Sequence, residues 1–198
     1  MQQNSSARER IVASAKRLFA ERGFHRMSVA DLADDAKVSV GAIYRSFASK
    51  SEIIRAIVQS DTENTLGQLQ TDIDQVREGT IAGPAAIERM IHEWISKRSD
   101  ALNHEIVAEA HRNPEVGEVL TTVCSQFREL FRLLARNVQP ELDAQEIEGV
   151  AELLLACLFG MGNREFTRPH LDERDTATVV AKLVLRAMKV EDAPPSQP

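Results

Sequence analysis

No apolar run in this 198-residue chain is long enough to span a bilayer. The longest, Leu153–Met161, falls far short of the ~20 residues that a membrane helix needs. The opening residues, MQQNSSARER, lack the hydrophobic core of a secretory signal, so the expectation is a cytoplasmic protein. Cysteine is scarce: Cys124 and Cys157 stand far apart in apolar helical patterns, form no CxxC and suggest no metal set. Buried free thiols are the simpler reading for both. Strand-like alternation is missing throughout, as is any internal repeat. Catalytic signatures fail residue by residue. His92-Glu93 opens an HExxH, but Ser96 occupies its last position. Gly160-x-Gly162 follows a helix rather than a strand, and Glu165 stands where a third glycine belongs, which argues against a dinucleotide site. His104 and His111 share one helical face, but the sequence places no further metal ligands beside them. No nucleophile–base pair is visible, so neither an enzyme nor a cofactor is expected.

What is present is charge asymmetry and helical periodicity. Residues 1–58 carry ten Lys/Arg against six Asp/Glu, a net of +4. The remainder carries 14 against 24, a net of −10, giving −6 for the chain. A basic head on an acidic body suits a protein that meets nucleic acid through its head alone.

Apolar residues recur at spacings of three and four, which predicts an all-α fold. A first helix is expected over 6–22, capped by Ser6-x-x-Glu9, with Ile11, Ala15, Leu18 and Phe19 inward and Gly23 closing it. A second, about 29–36, turns Val29, Leu32 and Ala33 inward; a third, about 40–46, contributes Ile43, with Phe47 just beyond. So small a core is marginal alone and is expected to lean on the next helix, about 50–76. Gly83-Pro84 then breaks the chain, and helices are predicted at 85–98, 101–112, 115–137, 144–161 and 173–189. Asp143-x-x-Glu146 caps the helix at 144–161. The tail EDAPPSQP is polar and proline-rich, the composition of a disordered end.

The run SVADLADDAKVSVGAIYRSFASK at 28–50 is the most informative stretch. A short helix, a tight turn, a second helix and the start of a third give the geometry of a helix-turn-helix DNA reader. Ser39 suits the N-cap of the second of these helices, while Ser28-x-x-Asp31 and Ser49-x-x-Glu52 read as capping boxes of its neighbours. The small residues Gly41 and Ala42 allow close backbone approach to base edges, and Val40 suits a thymine methyl. Arg45 is the one long polar side chain on this helix and serves either a guanine edge or a phosphate. Lys50, in the first turn of the next helix, suits a phosphate or simply solvent.

LFAERGF at 18–24, SVADLADDAKVS at 28–39, GAIYRSF at 41–47 and SKSEI at 49–53, in that order and spacing, resemble the N-terminal domain of TetR/AcrR-type transcriptional regulators. EAHRNPEV at 109–116 is similar to a segment often found in their helical domains. The resemblance implies a three-helix DNA-binding domain at 1–52, its helix-turn-helix at about 29–48. It also implies an effector-binding and dimerisation domain at 53–190, leaving 191–198 as the tail. The DNA-facing set it implies is Ser28, Ser39, Val40, Gly41, Ala42, Tyr44, Arg45, Ser46 and Lys50. In it Tyr44 meets phosphate, or else packs in the small core. Two positions depart from the family pattern. Lys37 stands where glycine is usual, at a cost of about 1–2 kcal/mol if its φ is positive, and Ser46 stands where the family often has a ring.

The same resemblance implies a double-stranded operator of near-palindromic sequence, a homodimer and a small-molecule effector. The apolar faces of helices 144–161 and 173–189, through Ile147, Leu154, Leu158, Val180, Leu183, Val184 and Ala187, suit a four-helix dimer interface or burial within one subunit. Pocket linings come from Met90, Trp94, Val107, His111 and Phe127, and from Phe131, Leu155, Phe159 and Asn163; core packing is the simpler role for the apolar ones. Arg164 and Arg168 are expected to offset Glu165, Asp172 and Glu173. The resulting expectation is a repressor released by a mainly apolar molecule. Its alternatives are an activator, a protein-tuned regulator, a switchless nucleoid-packing binder and, from another class, an enzyme in the helical body.

Overall fold

The computed structural model describes residues 6–24, 26–96 and 101–189; the expected tail at 191–198 and the end of the helix predicted to reach residue 98 lie outside them. Nine α-helices and one 3-10 turn are found among these residues: α1 Ala7–Arg22, α2 Val29–Ala36, α3 Val40–Ser46, α4 Lys50–Arg77, α5 Gly83–Ser96, α6 Ala101–Ala110, α7 Pro114–Val138, α8 Ala144–Met161, the 3-10 turn Arg164–Thr167, and α9 Glu173–Ala187. The all-α expectation stands, and α2, α3 and α8 fall on their expected spans. The 3-10 turn had no sequence signal. The helices divide between two compact units, one of residues 1–64 and 99–123, the other of 65–98 and 124–198, so α4 and α7 contribute to both.

In the first unit, α1 packs on α2, α3 and α6. Ile11, Ala15, Leu18 and Phe19 of α1 are buried with Leu32, Ala33, Ile43 and Phe47, and Val29 is only half-buried. The Phe19 and Phe24 rings lie 5.5 Å apart. Ile53, Ile54 and Ile57 of α4 are also buried, supplying apolar area that three short helices lack. Local bonds fix where these helices begin. The Ser6 and Ser28 hydroxyls accept from the N–H groups of Glu9 and Asp31, whose carboxylates accept in return from the cap N–H groups. The box expected at Ser49 closes differently. Its hydroxyl accepts from Glu52 N–H (3.2 Å), but the Glu52 carboxylate takes the N–H of Ala48 (2.7 Å) rather than that of Ser49.

Lys37 does adopt the left-handed conformation, with φ 54° and ψ 48°. Its N–H and that of Val38 both turn to the Ala33 carbonyl, so the glycine-type closure is kept despite the Cβ. Asn113 ties the C-terminal part of this unit to α4. Its Oδ1 accepts from Glu115 N–H (3.1 Å) at the head of α7, and its Nδ2 donates to Ser51 Oγ (3.2 Å).

In the second unit α5 packs on α8 and, more extensively, on α9. Ile87, Ile91, Trp94, Phe131, Leu134, Ala151, Leu154, Ala181 and Val184 are buried here. Gly83 is required by close approach, because a Cβ there would meet Val138 Cγ2 at 2.8 Å. One charged group is also buried: the Asp72 carboxylate of α4 accepts from Gln68 Nε2 (2.9 Å) and from Nε (3.3 Å) and Nη2 of Arg89. None of the described helices is long and apolar enough to cross a membrane.

Candidate nucleic-acid interface

The second and third helices of the head supply the geometry. Ser39 caps α3, its hydroxyl accepting from Ala42 N–H (3.1 Å), and the chain returns to extended backbone at Phe47. Only Ile43 of this seven-residue helix is buried. Its other side chains therefore face outward or sit at the margin: Val40, Gly41, Tyr44 and Arg45 are exposed, Ala42 and Ser46 half-buried. Tyr44 is 60% exposed, so its ring does not pack in the small core and its hydroxyl is presented to solvent. Arg45 lies back along the helix, its Nη1 3.6 Å from the point where a Cβ on Gly41 would stand. The guanidinium and the small residue thus occupy one face, and a flat backbone lies beside a bidentate donor.

The hydroxyls differ in what they keep. Ser46 Oγ donates to the Ala42 carbonyl (3.0 Å), and Ser28 Oγ donates to the Asp31 carboxylate (2.6 Å), so both protons are committed within the head. Ser39 uses only its acceptor side in capping.

Lys50 is placed where neither sequence reading put it. Its ammonium donates to the main-chain carbonyls of Phe24 and Met27 and lies 5.4 Å from the Phe24 ring centre. The carbonyls of a loop without regular structure need donors, and a half-buried lysine supplies them. Any phosphate contact from this residue must use its remaining N–H.

The basic excess of the head is partly neutralised. Lys16 pairs with Asp61, Arg17 with Asp35, and Arg22 with Asp31 at 3.6 Å. The guanidinium of Arg17 and a hydroxyl bond from Ser14 hold the Asp35 carboxyl below the usual carboxylate range. Hydrogen bonds from Ser28 do the same for Asp31. Arg8 lies over the Phe47 ring at 4.8 Å, a contact across the head that no local pattern announces.

The residues expected around an effector separate into groups. Met90, Trp94, Phe127, Phe131 and Leu155 are buried in the second unit, with the Phe131 ring 5.5 Å from Trp94 and 5.9 Å from Phe127. Val107 and His111 are exposed and belong to the first unit. Phe159 is exposed, and Asn163 donates its amide to the Phe159 carbonyl (2.8 Å), closing the end of α8. Of the residues expected between subunits, Ile147, Leu154 and Val184 are buried within one chain, Leu158 and Val180 are half-buried, and Leu183 and Ala187 are exposed. Exposed with them on these two helices are Leu153 and Val179, absent from the expected set although Val179 lies one helical turn from Leu183.

Arg164 does not serve chiefly to offset carboxylates. Its Nη2 donates to the Leu171 carbonyl (2.7 Å), in the irregular stretch before α9, and to Thr176 Oγ1 (2.8 Å) in the first turn of α9. Cys124 and Cys157 are half-buried free thiols, and burial raises the pKa of each. Among the described residues no group of three or more His, Cys, Asp or Glu is placed to hold a metal ion.

Residues 11–57 match the family of bacterial regulatory proteins described as the tetR family. The chain is 33% identical over 132 residues to the HTH-type transcriptional regulator UidR of Escherichia coli K12. That alignment covers 67% of this chain and 66% of UidR, just under two thirds of the relative's length. It is 27% identical over 168 residues to the HTH-type nicotine-responsive transcriptional repressor HdnoR of Paenarthrobacter nicotinovorans, covering 82% of this chain and 84% of that one. Among solved structures, Salmonella enterica GusR is similar with a TM-score of 0.66 and 28% identity, covering 92% of this chain and 95% of its own. With its helix-turn-helix, its all-helical architecture and these relatives, the chain belongs to the tetR family of bacterial regulatory proteins.

Proposed function

We propose that this protein is a cytoplasmic DNA-binding transcriptional regulator, a repressor that grips a near-palindromic operator as a two-fold dimer and leaves it when a small, mainly apolar molecule binds the helical body. The observation that carries this reading is α3. It is a capped helix with a single buried residue, and it presents Gly41, Tyr44 and Arg45 together to solvent. Laid in a major groove, Arg45 donates to guanine O6 and N7, worth about 1–3 kcal/mol of discrimination. Tyr44, Ser39 and, through its remaining donor, Lys50 hold phosphate. Gly41 and Ala42 let the backbone approach, Val40 meets a thymine methyl, and Ser28 and Ser46 act by fixing the ends of α2 and α3.

One such helix reads too few bases for specificity. A dimer places two of them about one DNA turn apart, ~34–36 Å. Leu183, Val179, Leu153 and Ala187, left exposed on α8 and α9, supply the surface for that dimer. Leu158 and Val180 support its margin, and Ile147, Leu154 and Val184 stiffen the helices from inside. The effector sits against the aromatic group of Trp94, Phe127 and Phe131 with Met90 and Leu155. Phe159 and Asn163, at the end of α8, contribute less. Binding favours a state in which α4 is displaced and the two recognition helices no longer match successive grooves. A coupling of about 1–3 kcal/mol per site is enough for substantial release. The nicotine-responsive repressor HdnoR, similar to this chain over most of its length, supports both the sign of regulation and a small-molecule signal.

Selection of bound duplexes from random DNA, followed by mobility-shift titration, tests the reading. A two-fold-symmetric consensus is expected. Failure to shift any double-stranded oligonucleotide at low ionic strength overturns it.

A further inference from the structure

Along one margin of the α5–α9 contact the second unit has a cleft of about 420 Å³, lined by Ala85, Glu88, Arg89 and His92 of α5 and by Arg174 and Ala177 of α9. None of these residues belongs to the aromatic group discussed above. We propose that this cleft is a binding site for a small organic anion, its carboxylate held by Arg89 and Arg174 with His92 beside them.

Arg89 is already oriented for such a role. The buried Asp72 carboxylate engages its Nε and Nη2, and Gln75 Oε1 accepts from Nη2 at 3.0 Å. Its side chain nevertheless remains 42% exposed and borders the cleft. A guanidinium fixed from behind by a buried carboxylate loses little further freedom when it meets a second acceptor in front.

The side chains of Arg174 and His92 have no partner among the described residues, yet they stand in the same cleft. That contrasts with three other surface arginines of this unit. Arg77, Arg128 and Arg132 each pair with a nearby carboxylate. The one carboxylate in the cleft, Glu88, is turned to the Thr178 hydroxyl (2.5 Å). Two guanidinium groups are therefore drawn to one concavity from different helices, and one of them is left without its counterion. This is the donor arrangement that recognises a carboxylate.

The volume is more than ten times the ~30 Å³ share of one water in the liquid, so the cleft takes more than a bare ion. Ala85 and Ala177 leave room for an apolar body beside the charged end. The cleft also stays open in a dimer built on α8 and α9. Ala177 and Ala181 are buried on the inward side of α9, and the exposed Val179 and Leu183 lie on its other side. Anion binding in this cleft does not require DNA.

Titration of the full-length protein with benzoate, followed both by calorimetry and by the ring resonances of His92, tests it. The wild type is expected to bind benzoate saturably with one molecule per chain and to shift the His92 signals. Arg174→Gln, an exposed position whose change leaves the thermal transition in place, is expected to weaken binding at least 10-fold. Benzyl alcohol, of the same shape without charge, is expected not to compete. Absence of saturable binding, unchanged affinity in Arg174→Gln, or equal binding of benzyl alcohol overturns the proposal. Retained operator binding in Arg174→Gln separates a failure here from a failure of the regulatory reading.

Discussion

The helix-turn-helix head and the α8–α9 pair are both helical, both capped at their N-termini by short side chains, and both leave apolar residues in solvent. They differ in what accompanies those residues. On α3 the exposed Val40 and Tyr44 stand beside the capping Ser39 hydroxyl, the phenol of Tyr44 itself and the Arg45 guanidinium. On α8 and α9, Leu153, Val179 and Leu183 are exposed, with Lys182 and Arg186 flanking the α9 pair, and Gly149 and Gly160 of α8 stand where an added Cβ would meet open space. A mixed surface fits a polar, charged partner such as a duplex. An aliphatic one fits another aliphatic surface and costs solubility until it is covered. In the proposed function the same secondary structure serves two recognition tasks, a duplex at α3 and a second copy of the chain at α8 and α9, and the larger share of aliphatic side chains sets the second apart.

The largest effect that sharpens this comparison comes from the apolar side. Leu183→Glu places a charge on a 57% exposed position, so the monomer should keep its thermal transition. Dimerisation should fail, and operator affinity should fall by at least about 100-fold as the second half-site is lost. Analytical ultracentrifugation and mobility shift measure the two. A variant that stays dimeric would show that the aliphatic face is not the interface.

A smaller effect is expected at the head. Arg45→Ala should cost about 1–3 kcal/mol of operator binding and relax preference at one base pair, which selection from random DNA detects. Lys50→Ala should weaken all sequences alike. It should also lower stability, since the carbonyls of Phe24 and Met27 lose their donor. Unchanged stability in Lys50→Ala would show that the ammonium is not a structural tie.

Next in size is Lys37→Gly, which should stabilise the protein by up to about 1 kcal/mol, because a Cβ at positive φ is removed. A raised urea midpoint with unaltered operator preference is the expected result. A lowered midpoint would mean that the lysine side chain contributes more than its backbone costs.

The smallest and most distributed effect is on pH. Asp31 and Asp35 in the first unit, and Glu146 and Glu148 in the second, all have lowered pKa values. Ser28 bonds act on Asp31, Arg17 on Asp35, Lys189 on Glu146 and Arg132 on Glu148. Groups depressed on folding add stability above their unfolded pKa values, 3.8 for Asp and 4.5 for Glu. That stability is lost as pH falls through the lower folded values. Both regions should therefore weaken on acidification below about pH 5, and Asp35→Asn should flatten the slope for the head alone. Urea midpoints measured across that range check the sign, and a head that gained stability on acidification would contradict it.

Much of the fold was legible because its signals are local. Ser6, Ser28 and Asp143 each cap a helix by bonding to a residue three positions on, and that geometry follows from the short segment itself. Lys37 stood out because the family resemblance implies glycine at that position, and a glycine position in a turn points to positive φ. The sequence left Tyr44 open between phosphate and the small core, and the structure decided for exposure. What failed were long side chains with distant targets. Lys50 reaches carbonyls more than twenty residues back, and Arg164 reaches across a 3-10 turn with no periodic pattern to announce it. Asp72 did carry a signal, a carboxylate beside Ile73 within an apolar stripe of α4, but its partner Arg89 lies on another helix. The effector candidates were chosen by apolarity, and apolarity does not distinguish the buried Phe131 from the exposed Phe159.

The sequence by itself determined the helices, their starts, the head's three-helix core and the family, because caps, periodicity and motif spacing act within a few residues of chain. Only the tertiary structure decided which cations remain available, which apolar residues stay in solvent, and that α5 and α9 frame a charged cleft. Those outcomes depend on which side chains from distant segments arrive first at each carbonyl or carboxylate, and the competition is settled by packing rather than by local propensity.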